Sequence, residues 1–338
     1  MTDPIARTGA PGAPTPVDCA AERGECWFTL PLRHGGERAV RVAYELVGPR
    51  TAPVIAVLGG ISGDRHLLAT RRYPEPGWWP RQCGPGLALD TRRFRLLGID
   101  WLGRCGGIDQ AIDTADQAQA LAAVLDALGI ARLHALVGAS YGAMVGLAFA
   151  AGHGERLQQL VAISGGHRPD PWASAWRGLQ RAILRQGIAC GQSGPALSLA
   201  RQVALLGYRT PHDLRTRFDL PPVRQADRFE VASEAWLRGH GEAFAARWPA
   251  TAYLRLSESL DLHAVDPARI RVPVTVVGVD QDQLVPLSGL YALVEALAGP
   301  ARLLTVRSAH GHDAFLKAHA AIAEALGQAL AAAREVAA

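Results

Sequence analysis

Gly138-Ala139-Ser140-Tyr141-Gly142 sets a serine between two glycines, at a point where the chain changes character. Leu133 to Val137 before it is an apolar run of strand length, and Tyr141 to Ala151 after it reads as a small-residue helix. A G-x-S-x-G pentapeptide in that setting holds the serine on a strained turn, where glycines let the backbone cross closely. A serine hydroxyl is a weak nucleophile until a base accepts its proton. Ser308-Ala309-His310-Gly311-His312-Asp313 follows the last strand-like run and offers two histidines. His312 is preferred because it opens the final helical segment; His310 reads as a loop residue beside it. An acid should follow the preceding strand, in the order serine, acid, histidine. Asp282, in a loop leading into a helix, is preferred over Asp280, which reads as a turn former. Its work would be to fix the imidazole tautomer and stabilise the imidazolium. Acyl transfer also needs donors for the developing oxyanion. These are expected from the N–H of Tyr141 and from the turn Leu58-Gly59-Gly60-Ile61-Ser62-Gly63.

The elements that must position these groups can be read along the chain. Ala39 to Leu46 alternates as a half-buried strand does. Val54 to Leu58, Phe94 to Ile99, Leu160 to Ile163, Val274 to Val279 and Arg302 to Val306 are short apolar runs of strand type. Helical spacing appears in Gln117 to Leu128, stopped by Gly129, and in Leu287 to Leu297. Strands alternating with helices imply a mostly parallel sheet covered on both faces. From Pro169 to about Leu262 the β-branched runs vanish and tryptophan is frequent, as in a helical insertion over the sheet. The expected organisation is a lead-in over 1–25, a core over 26–168 and 263–338, and a helical lid over 169–262.

With 49% hydrophobic and 20% charged residues, the 338-residue chain has the make-up of a soluble enzyme with a sizeable core. No apolar run approaches the roughly 20 residues that span a bilayer. Met1 to Pro16 is rich in Pro, Gly, Ala and Thr without an apolar signal core, so it reads as disordered and the enzyme as cytoplasmic. The net charge is +4, but Lys317 is the only lysine and the arginines are scattered. A nucleic-acid partner needs clustered positive charge, so none is expected. Cys19, Cys26, Cys83, Cys105 and Cys190 are odd in number and widely spaced, which argues against disulfides and a zinc site.

Together these segments resemble the homoserine O-acyltransferase family, an acyl-CoA-dependent branch of the α/β-hydrolase fold. Ile61-Ser62-Gly63 with His66 is similar to the family's Leu-Thr-Gly turn and following histidine. Trp78-Trp79, Gly84-Pro85-Gly86 and Asp90-Thr91-Arg92 match further segments, and Asp100-Trp101-Leu102-Gly103-Arg104-Cys105-Gly106 resembles its Asn-x-Leu-Gly-x-Cys-x-Gly stretch. Glu234, Leu237, Gly241, Phe244, Arg247, Tyr253 and Asp261 match a string in the lid, and Gly311 to Leu316 the C-terminal histidine motif. The chain departs from the family at Asp100-Trp101, where Asn is expected, and at Tyr141, where methionine is usual.

The resemblance implies a triad of Ser140, Asp282 and His312 and an oxyanion hole from the Ile61 and Tyr141 amides. It implies that Arg201 and Tyr208 contact substrate and that Asp313 receives the amino group of homoserine. The implied reaction is ping-pong acylation of L-homoserine in methionine biosynthesis, with acyl-CoA as cosubstrate and no resident cofactor or metal. Succinyl-CoA is preferred over acetyl-CoA, with Arg209 as the cation for the succinyl carboxylate; serine as acceptor, or an esterase or amidase on the same triad, are the alternatives. Pairing of two copies through the lid is also implied.

Overall fold

The computed structural model describes residues 16–335. Its strands are β1 Ala21–Leu32, β2 Gly36–Val47, β3 Val54–Leu58, β4 Arg95–Ile99, β5 Ala135–Ala139, β6 Leu160–Ile163, β7 Val223–Gln225, β8 Arg228–Glu230, β9 Val274–Val279 and β10 Ala301–Val306. Its helices are α1 Thr114–Ala127, α2 Tyr141–Gly152, α3 Pro171–Ala189, α4 Ser193–Tyr208, α5 Pro211–Phe218, α6 Ala232–Ala245, α7 Ala250–Leu262, α8 Leu287–Ala296, α9 Ala314–Lys317 and α10 His319–Glu335.

Eight strands form one sheet in the order β1-β2-β4-β3-β5-β6-β9-β10. β1, β2 and β4 are joined antiparallel, and every pairing from β4 onward is parallel. The inner strands are apolar throughout because both faces are covered. Ala56, Leu58, Leu136 and Leu160 face one core with Leu121 of α1, Val145 of α2 and Leu290 of α8. Ile55, Val57, Val137 and Val161 face the other with Trp79 and with Ile322 and Leu326 of α10. This is an α/β-hydrolase architecture, as expected.

β1 shows where local pattern falls short. It carries Arg23, Gly24, Glu25 and Pro31, and its apolar alternation is weak. Twelve paired positions with β2, from Ala21↔Val47 to Leu32↔Gly36, hold it in the sheet all the same. The expected disordered lead-in is therefore corrected at its end, since residues 21–25 are strand; its first fifteen residues lie outside the described ones. α1 starts at Thr114, ahead of the expected Gln117, because Asp113 and Asp116 form a capping box. Asp113 accepts the N–H groups of Ala115 and Asp116, and Asp116 accepts that of Asp113.

Between β6 and β9 the chain runs through α3 to α7 and the β7–β8 hairpin. This segment has its own small core of Leu184, Leu197, Phe244, Tyr253 and Leu254. It is anchored in part by Tyr253, whose buried hydroxyl donates to Gln180 Oε1 at 2.7 Å.

Candidate active site

β5 ends at Ala139 and α2 begins at Tyr141, so Ser140 occupies the turn between them, with φ 55° and ψ −116°. Positive φ is costly for a residue with a Cβ, and the crossing of the chain sustains it. A Cβ at Gly138 would stand 2.2 Å from the Gly142 carbonyl oxygen, and one at Gly142 would stand 2.2 Å from that of Leu58. Only glycine at both positions lets β3, β5 and α2 approach this closely. The strain lifts the serine hydroxyl clear of the sheet.

Ser140 Oγ donates to His312 Nε2 at 2.8 Å, and His312 Nδ1 donates to Asp282 Oδ2 at 2.7 Å. The carboxylate is held from its other side, since Asp282 Oδ1 accepts the N–H groups of Leu284 and Val285 at 2.9 and 3.0 Å. With Nδ1 committed to Asp282, Nε2 is left as the acceptor for the serine proton. Burial pushes the His312 pKa down. The charge and hydrogen bond of Asp282 outweigh it and, with a further contribution from Asp313, hold the imidazole above its ordinary value; Arg177 opposes this.

The two alternatives do other work. Asp280 accepts the N–H of Ser308 at 3.0 Å and braces the turn after β10. His310 lies 3.3 Å from Asp213 Oδ1, with its side chain 39% exposed.

The turn after β3 lies against the nucleophile: a Cβ on Gly60 would be 3.7 Å from Ser140 Cβ. The Gly60 carbonyl accepts from Trp101 Nε1 at 3.1 Å and from the Gly63 N–H at 2.8 Å. A trans peptide is planar, so fixing that carbonyl aims the N–H of Ile61 the opposite way. Trp101 thus orients the amide expected to meet the oxyanion. It is in turn packed edge-on against Tyr141, with ring centroids 4.8 Å apart, and the Tyr141 hydroxyl is 2.6 Å from Ser259 Oγ. In the sequence Trp101 stands out only as a departure from the family pattern; its position after β4, next to β3 in the sheet, is the signal for its role.

A cavity of about 480 Å³ opens over the serine, lined from the core by Ile61, Ser140, Ser164 and His312 and from the lid by Arg177 and Tyr208. Tyr208 stacks at a tilt on His312, with centroids 5.8 Å apart. Ser164, at φ 50°, has its hydroxyl oxygen buried without a hydrogen-bond partner. It was not anticipated from the sequence.

Three expected substrate residues do not line this cavity. Arg201 sits behind Tyr208, its guanidinium 5.3 Å from that ring and 4.7 Å from the ring of Phe244, with Nη1 buried and unpartnered. Arg209 is buried and lies 3.3 Å from Asp213 and 3.0 Å from Asp313, although its Nε–H is not aimed at the Asp313 oxygen for a hydrogen bond. Arg209 thus faces Asp213 and Asp313 and stands outside the cavity lining, paired where the sequence suggested a cation open to the donor. Among the described residues no group of three or more His, Cys, Asp and Glu is placed to hold a metal ion, and no helix is long and apolar enough to cross a membrane.

Residues 53–318 match the alpha/beta hydrolase fold family. The chain is 54% identical over 298 residues to the homoserine O-succinyltransferase of Xanthomonas campestris pv. campestris, covering 88% of this chain and 80% of that protein. It is 31% identical to the homoserine O-acetyltransferase of Clavibacter michiganensis subsp. michiganensis, covering 88% and 90%. In three dimensions it is similar to the homoserine O-acetyltransferase of Bacillus anthracis, with a TM-score of 0.83, 16% identity and coverage of 92% and 97%. At that identity the likeness speaks for the fold alone.

Proposed function

The chain belongs to the homoserine O-acyltransferase family of α/β-hydrolase-fold enzymes, and from that premise we propose that it moves a succinyl group from succinyl-CoA to the hydroxyl of L-homoserine through an acyl-Ser140. The observation that carries the chemistry is the unbroken hydrogen-bonded row Asp282–His312–Ser140 at the floor of a lidded cavity. The preference for succinyl rests on the 54% identity to a succinyltransferase.

In the first half-reaction Ser140 Oγ attacks the thioester carbonyl carbon while His312 Nε2 takes the serine proton. The oxyanion is met by the N–H groups of Tyr141 and Ile61, the second aimed by Trp101. The C–S bond then breaks, and the CoA thiolate leaves with the proton from His312. In the second half-reaction the homoserine hydroxyl gives its proton to the same histidine and attacks the acyl-serine carbonyl. Collapse of that intermediate breaks the bond to Ser140 Oγ, which recovers the proton.

Water must be excluded for transfer to win over hydrolysis, and the lid helices over the cavity serve that purpose. Arg201 is assigned to the homoserine carboxylate, which would satisfy its unpartnered Nη1 once Tyr208 turns aside. Asp313 faces Arg209, so its effect in this reading runs through the charge it places beside His312. The product would enter methionine biosynthesis in the cytoplasm. Exposed Leu220, Val223 and Phe229 around the lid hairpin fit pairing of two copies there.

The test is a matrix of succinyl-CoA and acetyl-CoA against homoserine and serine, following CoA release and ester product. Succinyl transfer to homoserine should dominate and be lost in Ser140→Ala. Rapid p-nitrophenyl ester hydrolysis, with CoA release indifferent to homoserine, would mark an esterase instead.

A further inference from the structure

The lid carries a second group of buried charges, on α3 and α7, that the mechanism above leaves unused. Arg177 Nε and Nη2 lie 2.8 and 2.5 Å from Asp261 Oδ1, and Arg181 Nη1 lies 2.6 Å from Asp261 Oδ2. Ser174 Oγ donates to the same Oδ1 at 2.7 Å. The side chains of Arg177, Arg181 and Asp261 are 12%, 13% and 18% exposed. No other carboxylate among the described residues lies within ion-pair distance of either arginine. Two guanidinium groups thus share one carboxylate in a region of low dielectric, and one positive charge is left over.

An uncompensated buried charge is costly unless an anion comes to it. Arg181 also donates to the Ser257 carbonyl at 3.0 Å, which turns it into the packing between α3 and α7. Arg177, one turn earlier on α3, faces the cavity that holds Ser140 and His312. Arg168 lines the same cavity but is exposed, and a carboxylate bound there in water gains little.

Resting on the succinyl-transfer reading above, we propose that Arg177 is the donor-selecting residue: its guanidinium binds the distal carboxylate of a dicarboxylic acyl group carried on CoA. Met144, Leu260 and Leu290 in the same lining suit the methylene spacer between that carboxylate and the thioester. Arg177 holds Asp261 through Nε and Nη2 and Ser174 Oγ through Nη2, which leaves the two hydrogens of Nη1 to meet a substrate carboxylate. Arg201 and Arg177 then divide the labour, one for the carboxylate of the acceptor and one for that of the donor. The field of Arg177 reaches His312, so occupancy by a carboxylate would also relieve a force that disfavours the imidazolium.

The experiment measures kcat/KM for succinyl-CoA and for acetyl-CoA in the wild type, Arg177→Gln and Arg177→Lys, with homoserine saturating. The readout is the ratio of the two donors within one preparation, which cancels any difference in folded fraction. In Arg177→Gln that ratio should fall about 10- to 100-fold, the range for a lost hydrogen bond to a charged group. Arg177→Lys, which keeps the charge without the fork, should fall less. An unchanged ratio would overturn the proposal, because a purely structural arginine harms both donors alike. So would a rise in homoserine KM without change in the donor ratio, which would assign Arg177 to the acceptor. If instead the wild type moved no acyl group from either donor to homoserine, the transferase reading itself would fail.

Discussion

Two buried charge clusters act on His312, and they differ in their arithmetic. On one side Arg209 and Arg217 meet Asp213 and Asp313, with Arg217 3.6 Å from Asp213, so two cations face two anions. On the other, Arg177 and Arg181 meet Asp261 alone. The balanced cluster is a brace: it ties the start of α5 to the loop that presents the catalytic histidine. Thr210 adds to it by donating to the Ala309 carbonyl at 2.6 Å. The unbalanced cluster holds a charge in reserve beside the reacting groups. A buried charge is informative about ligands when its neighbours fail to cancel it, and residue type alone does not show that.

The comparison can be broken at the histidine the two clusters share. Asp282→Asn should lower kcat about 10³- to 10⁴-fold, because the imidazole loses the partner that sets its tautomer. The same change removes the upward push on the His312 pKa while burial continues to press it down. His312 must be neutral to act as base, so in the wild type kcat/KM rises with pH as the raised pKa is passed. In the variant that rise should move to lower pH, and a profile of kcat/KM against pH would show it.

The brace itself is tested by Arg209→Met, which takes from Asp313 its ion-pair partner and leaves Asp213 with Arg217 and His310. Urea unfolding should show a loss of about 3–5 kcal/mol, the scale for stranding one partner of a buried pair. The donor ratio should stay where it is. A changed ratio with unchanged stability would reverse the roles assigned to the two clusters.

Smaller effects test the walls of the cavity. Trp101→Phe keeps an aromatic ring, smaller than the indole, but loses the donor to the Gly60 carbonyl, leaving the Gly63 N–H. A fall of about tenfold in kcat, with KM little changed, corresponds to one hydrogen bond's worth of orientation. Wild-type kcat in this variant would show that the turn positions Ile61 unaided. Ser164→Gly should raise stability by about 1 kcal/mol by removing a Cβ from a positive-φ position. Scanning calorimetry would read that as an increase of about 1–2 °C in Tm.

The elbow and the individual strand runs were legible in the chain because each is set by residues close together in sequence, and the order serine–acid–histidine followed because each member comes directly after such a run. Val54–Leu58, Leu160–Ile163 and Val274–Val279 coincide with the runs read as strands, since buried parallel strands must be apolar throughout. Of the paired candidates, Asp282 and His312 lie in one hydrogen-bonded row with Ser140, while Asp280 holds the Ser308 N–H and His310 lies beside Asp213. β1 escaped notice because an edge strand keeps polar side chains on its open face, and its partner supplies its regularity.

Sequence specified which chemical groups this protein has and which segments carry them. Folding specified how charge is distributed among them. In the sequence Arg209 reads as a candidate cation for the donor and Arg177 draws no notice, yet in the fold Arg209 meets both Asp213 and Asp313 while Arg177 shares Asp261 with Arg181. Arg177 and Asp261 stand 84 residues apart in the chain. Coulomb interactions depend on distance through space and on the dielectric around the pair, and neither is written in the order of the residues.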